Sequence, residues 1–362
     1  MIFNKTGCHI RKNFYLGDIK VETIREYKYL GFKITPYGGI NPGLLDLKDR
    51  ALKAYFKMKN KMGSSFCKYP IVTIKLFQTL IQPILLYSSD FWGVLKLPNN
   101  NPFETVHMKF CKELLVVQKQ TTKTGVLQEL GQLPLSVHEK KHAIKNWVRL
   151  TNDKQCNTLV SASLEHAANN NLMWPKRMEG TLAKIGLLNT FISKDSRAHI
   201  QAFQRMSDIF YQDSFSEIKK KTSKLRTYST IKTQTGFENY LCQIQNIQDR
   251  VSLTKFRLSN HRLMIETGRH QRIDKDQRFC PFCPTKIEDE AHFLLECKVF
   301  STLRVELFNK ALNEEGNFMQ LENSEKFVTL LSNPAVMRHT ANHISKTFHI
   351  REYLLRNHKN PI

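Results

Sequence analysis

The sequence predicts a mainly α chain with a short β segment at its start, and three observations carry that prediction. Strand-like alternation is confined to residues 1 to 40, apolar residues fall at helical spacing from Leu44 onward, and no internal repeat or low-complexity tract breaks the pattern. Hydrophobic residues make up 41% of the 362 and charged residues 24%, a balance that favours folded cores over a disordered tail. A chain of this length has room for more than one core.

In the first forty residues, NFYLGDIKV has a Gly-Asp turn between short β-favouring runs, and YKYLGFKIT alternates around Gly31; together they predict a hairpin followed by another strand. The stretch PYGGINPG is a connector of breakers, with Pro36, Gly38, Gly39, Pro42 and Gly43. From Leu44 a helix directs Leu45, Leu52, Tyr55, Phe56, Met58 and Met62 to one face and lysines to the other. Between Lys48 and Lys75 eight basic residues meet only Asp49, which fits either a solvated helix face or one turned toward phosphates.

A further helix starts at Pro70 with Phe77, Leu80, Ile81, Ile84 and Leu85 on one stripe, and Pro83 should kink or shorten it. Residues 103 to 118 form another, with Val106, Phe110, Leu114 and Val117 toward a core. GVLQELGQLPLSVHEKKHAIKNWVRL reads as a helix, a Gly-Gln-Leu-Pro break and a second helix ending near Leu150. His107 with Cys111, and His138 with His142, stand four apart. Neither pair has a second pair to complete a metal site, and Lys140, Lys141 and Lys145 would repel a cation from the latter, so both pairs read as packing or surface residues.

Residues 151 to 215 are helical and polar without a motif. From Glu217 to Arg278, fourteen Lys or Arg face six Asp or Glu. Lys219, Lys220, Lys221, Lys224, Arg226, Arg257, Arg262, Arg269 and Arg272 are the candidate phosphate contacts of this stretch. Tyr228, Phe237, Tyr240 and Phe256 are interleaved with them; they suit stacking on the bases of single-stranded nucleic acid and equally suit a helix core.

Over the whole chain, 55 Lys and Arg against 32 Asp and Glu give a formal net charge of +23. A surplus of this size calls for an anionic partner, nucleic acid before an acidic membrane surface. The most apolar segment, PIVTIKLFQTLIQPILLY, is broken by Lys75, Gln78, Gln82 and Pro83, so no membrane-spanning helix is expected. MIFNKTGCHIRKNF lacks the apolar run of a secretory signal. The scattered Cys8, Cys67, Cys111, Cys156 and Cys242 read as free thiols of a reducing compartment, placing the chain in nucleus and/or cytoplasm.

The remaining cysteines cluster in RFCPFCPTKIEDEAHFLLECKVF. Cys280 and Cys283 form a C-x2-C step, and His292 and Cys297 follow after eight and four intervening residues. Two thiolates at that spacing can grip one ion from a tight turn, and a His and a Cys on the next segment complete a tetrahedron. Four protein ligands leave no open position, so the role expected is structural, and mixed sulfur and imidazole ligation selects zinc. Glu288, Asp289 and Glu290 sit where carboxylates favour a helix N-terminus; His292 would fall in its first turn and Cys297 where it frays or ends. Phe279, Phe282 and Phe293 can pack around the ion.

In this order, YKYLGFKIT, KLFQTLIQPILLYSSDFWG, HMKFCKELLVVQKQTT, ELGQLPL, KLRTY, TKFRLSNHRLMIETGRH and the CPFC…EDEAHFLLEC cluster resemble the C-terminal half of LINE-type (non-LTR) retrotransposon reverse transcriptases, over nearly the whole chain. The resemblance implies a palm-end β-hairpin in 1–40, closed at Tyr29, Leu30 and Gly31, and a helical thumb-like domain in 44–150. It further implies a basic helical connector in 151–278, a Cys-Cys-His-Cys zinc element in 279–302 and a C-terminal helical tail in 303–362. It implies that the zinc element helps to hold RNA or a DNA target. The loop of eight between Cys283 and His292 exceeds the four of a retroviral zinc knuckle, so knuckle-type base recognition is not carried over.

That family polymerises DNA on an RNA template with two magnesium ions held by palm aspartates, two of them adjacent. This sequence has no Asp-Asp pair, and Tyr87-Ser88-Ser89-Asp90 supplies one carboxylate where the chemistry needs a shared set. Met1 falls just downstream of where the catalytic turn would end, and the family's N-terminal endonuclease is missing. The expectation is a zinc-containing binder of RNA and/or DNA without polymerase activity of its own. The alternatives are a part of an RNA-directed DNA polymerase active only with a palm domain supplied by another fragment, and a host interaction scaffold derived from it.

Overall fold

A computed structural model describes residues 13–22, 24–35, 39–95, 97, 101–152, 158–220 and 224–358. They form a mainly α structure, with extended strands confined to three two-stranded antiparallel hairpins. Cys8, Pro36, Gly38, Cys156 and Lys221 lie outside the described residues.

The first forty residues hold two hairpins where one hairpin and a lone strand are expected. Strand β1 (Phe14–Leu16) pairs with β2 (Ile19–Val21), and β3 (Tyr27–Tyr29) pairs with β4 (Phe32–Ile34). The reason lies in the turn at Leu30 and Gly31, whose φ angles of 44° and 86° are both left-handed. Two consecutive left-handed residues twist as the flanking strands do and close a hairpin, a conformation glycine accepts without Cβ strain.

The chain divides into two compact units, each gathered from three separate stretches. One comprises Met1–Gly63, Ile74–His107 and Leu133–Ile209, the other Ser64–Thr73, Met108–Gln132 and Phe210–Ile362. In the first, the helix Asn41–Met62 buries Leu44, Leu47, Ala51, Tyr55 and Met58, spaced three or four apart, while Leu45 and Phe56 are exposed. The expected stripe was therefore rotated by about one residue toward Leu44.

Pro83 acts as anticipated but by widening the helix instead of kinking it sharply. Helix Pro70–Leu76 passes into a π-helical turn, Phe77–Ile81, before a short helix Gln82–Leu85. Proline has no N–H for the carbonyl one α-turn back, and a π-turn before it absorbs that lost bond. The turn leaves Phe77, Ile81 and Leu85 inside but moves Leu80 to the surface.

Within the same unit Gly93 lets the helix Ser89–Trp92 lie against Leu135–Asn152, since a Cβ there would fall 2.2 Å from the Glu139 carbonyl oxygen. Ala143, Ile144, Trp147, Met178, Leu182, Ala198 and Ala202 form its apolar centre. His107 stacks on Phe77, and His142 Nδ1 lies 2.8 Å from the Ser89 hydroxyl, so these histidines serve packing and hydrogen bonding.

In the second unit, helices Ile247–Arg257, Ser301–Glu314 and Asn323–Ser332 pack on the long helix Pro334–His358. Asn246 caps the first of these by accepting from the N–H groups of Gln248 and Asp249. The rings of Phe256, Phe293, Phe300 and Phe348 fill the space between them, Phe293 and Phe348 stacking at 4.6 Å. A third hairpin, β5 (Phe279–Cys280) and β6 (Cys283–Ile287), leads into this cluster. No helix of the described residues is long and apolar enough to cross a membrane.

Candidate metal centre and basic surface

Cys280 ends β5 and Cys283 opens β6, directly paired across a two-residue turn, so one tight hairpin presents both thiols. The other two candidate ligands come from a π-helical turn. His292 begins the segment His292–Glu296, and Cys297 caps it, its N–H donating to the His292 carbonyl at 2.8 Å. An α-helix would rotate residues five apart by about 500° and separate their side chains. Bonding from i to i+5 instead stacks the two ends of an H-x4-C spacing, which explains why the helix widens here. Cys297 lies at the helix end, as its position in the sequence predicts.

The ligand atoms of Cys280, Cys283, His292 and Cys297 all lie within 4.8 Å of one another, and the Cys283 and Cys297 sulfurs are 3.9 Å apart. A tetrahedral zinc with Zn–S bonds of about 2.3 Å sets sulfurs about 3.8 Å apart. Both His292 ring nitrogens are buried; the imidazole faces the Cys280 thiol, and a Glu296 carboxylate oxygen sits 3.6 Å from Nδ1. An imidazole set between a thiol and a carboxylate fits a metal ligand oriented by that carboxylate. The four residues can therefore hold a metal ion.

The thiols resist ionising together. Donation to Cys297, aided by burial, pushes the Cys280 thiol up to about 12, and the same hydrogen bond lowers Cys297. A divalent cation would balance the developing thiolates and expel their protons. Around them, Arg304 donates to the carbonyls of Leu294 and Cys297, and Phe282 packs edge-on to Phe300. Of the three phenylalanines expected to shield the ion, Phe293 is buried but Phe279 is 43% exposed at the strand end. Buried Phe300, which the spacing did not single out, takes its place.

Only the middle residue of the acidic run acts as a helix-start carboxylate: Asp289 accepts from the His292 N–H at 2.8 Å. Glu288 and Glu290 are buried. Glu288 takes both ends of the Arg351 guanidinium at 2.7 Å. Glu290 accepts from Arg226 and lies 2.8 Å from His261 Nε2; burial pushes its carboxyl up, but His261 and Arg226 outweigh burial and bring it down to about 2. These ties lash the cluster to helices Arg226–Ile231 and Pro334–His358.

The candidate cations separate into surface and interior. Lys219, Lys220 and Arg272 are exposed, Lys224 is half-buried, and the Arg262 side chain is 75% exposed with a loose 3.6 Å approach to Glu352. Arg226 bridges Glu266 and Glu290, and Arg269 also reaches Glu266. Arg257 does not belong among the phosphate contacts. It is 1% exposed, held by Glu129 and Glu238 at 2.8 Å, and donates to the Leu331 carbonyl. Burial lowers its affinity for the proton, but the two carboxylates outweigh burial and keep it charged. Tyr228, Tyr240 and Phe256 are fully buried, so their part is core packing; Phe237 is half-buried, its backbone bridged to Leu130.

Compared with protein-family models, with curated proteins and with solved structures, the chain matches none.

Proposed function

We infer that this chain is a zinc-containing, nucleic-acid-binding module of the kind that closes LINE-type reverse transcriptases, with no polymerase centre of its own. One observation carries the reading: a closed set of three sulfurs and one imidazole sits in the unit whose surface holds Lys219, Lys220, Lys224, Arg262 and Arg272. Sulfur-rich tetrahedral ligation favours zinc over harder cations. Cys280, Cys283, His292 and Cys297 would hold the ion, and it would supply folding stability to a segment too small for a core of its own.

The surplus of +23 supports RNA and/or DNA as the partner, because cationic side chains that displace condensed counterions gain affinity from their release. Elemental analysis should find about one zinc per chain. Affinity for a single-stranded oligonucleotide should fall by one to two orders of magnitude between roughly 50 and 200 mM salt, as for a few phosphate contacts. A flat salt profile would sink the nucleic-acid reading.

A further inference from the structure

We propose that the polar hollow beside residues 258–262 is a seat for one nucleotide of a single strand, its phosphate taken by Lys224, Arg262 and Arg269. The proposal rests on the nucleic-acid reading above and names the place where that reading becomes a built site.

The hollow has a volume of about 370 Å³ and is assembled from segments 118–122, 224, 258–262 and 266–270. Its size is that of small-ligand pockets, but its lining is not. Among the described residues Leu258 is the sole aliphatic side chain around it; the rest carry hydroxyls, amides, imidazoles or charge. An apolar metabolite would leave those polar groups without partners. A sugar phosphate would find both hydrogen-bond partners and cations.

The charge is unbalanced toward anions. Among the described residues Lys224, Arg262 and Arg269 face a single lining carboxylate, Glu266, which is already engaged by Arg226 at 2.6 Å and by Arg269. Thr121 and Thr122 also line the hollow, with hydroxyl oxygens that are themselves buried. Thr121 is only 7% exposed.

The backbone around the hollow is set for this shape. Ser259 has a left-handed φ of 50° just past the helix Ile247–Arg257, and the Asn260 side-chain amide oxygen accepts from the Gln118 N–H at 3.1 Å. That left-handed residue closes the helix end, the Asn260 N–H reaching back to the Lys255 carbonyl at 2.7 Å, and so fixes where the chain turns beside the hollow. Among the described residues no Phe, Tyr or Trp lines the hollow, so it lacks a large stacking platform for a base. The seat thus grips sugar and phosphate and is indifferent to sequence.

The test measures binding of the full-length chain to a short single strand of mixed sequence. K224E/R262E is compared with K219E/K220E, which makes the same change in charge on exposed lysines outside the hollow. The hollow predicts that K224E/R262E loses at least about tenfold more affinity, because partly desolvated, charge-assisted hydrogen bonds exceed screened surface attraction. Equal losses would overturn the hollow and leave the nucleic-acid reading intact; no binding by the wild type would overturn both.

Two further arms separate the sources of the phosphate. A nucleoside monophosphate should displace the strand more effectively than inorganic phosphate, and equal displacement would overturn recognition of the sugar. A chain that binds the monophosphate but not the strand would overturn the strand as ligand.

Discussion

Arg257 and Arg262 stand five positions apart and have opposite fates, one sealed between two carboxylates and the other reaching into water. Nothing in their sequence neighbours separates them; the difference is Glu129 and Glu238, brought in from elsewhere in the chain. Burial has its clearest titration consequence at Glu139. It pushes that carboxyl from 4.5 up to about 7, outweighing the hydrogen bond from Asn101. The folded chain then keeps a proton there that the unfolded chain releases, so this stabilisation is complete below pH 4.5 and is lost as pH rises to about 7. His138 beside it works in the other direction: burial lowers it to about 4, so stability falls as pH drops from 6.5. Glu139→Gln should therefore melt higher than the wild type at pH 8, by up to about 3 kcal/mol, and match it near pH 4.5. Denaturation across that range checks this, and parallel profiles for the two proteins would contradict it.

The informative elements are the two π-turns. Each occurs where an α-helix could not meet a local demand, the missing N–H of Pro83 in one and the five-residue step from His292 to Cys297 in the other. The convergence of the four candidate ligands and the end of the helix at Cys297 could be read from spacing alone, because a site for one metal ion would fix which residues must meet. The split of Glu288, Asp289 and Glu290 into one helix-start carboxylate and two buried anchors could not, since their partners Arg226, His261 and Arg351 lie up to 64 positions away. Removing one ligand should loosen this whole arrangement. Cys283→Ser is expected to lose the metal, speed amide exchange over 279–297, and destabilise the chain by several kcal/mol, because binding energy at such a site is folding energy. A metal-free variant with wild-type exchange would rule out a structural role for the ion.

At the scale of the whole molecule, the charge of +23 acts on stability and on binding with opposite signs. Raising salt from about 20 to 200 mM shortens the screening length from roughly 20 to 7 Å, which relieves self-repulsion while weakening attraction to phosphates. The melting temperature should rise by a few degrees over the range in which oligonucleotide affinity falls; a melting temperature that falls with salt would show that specific ion pairs, not net repulsion, dominate. The sequence by itself determined the mainly α class, the helix-breaking prolines and the four residues that could hold a metal ion. Those features depend on spacing between neighbours, and backbone geometry translates such spacing directly. Only the tertiary structure decided that Arg257 is an interior ion, that Thr121, Lys224 and Arg262 share one hollow, and that Glu288 and Glu290 are anchors. The exposure and pairing of a charge depend on residues far away in the chain, and those meet only once the helices have packed.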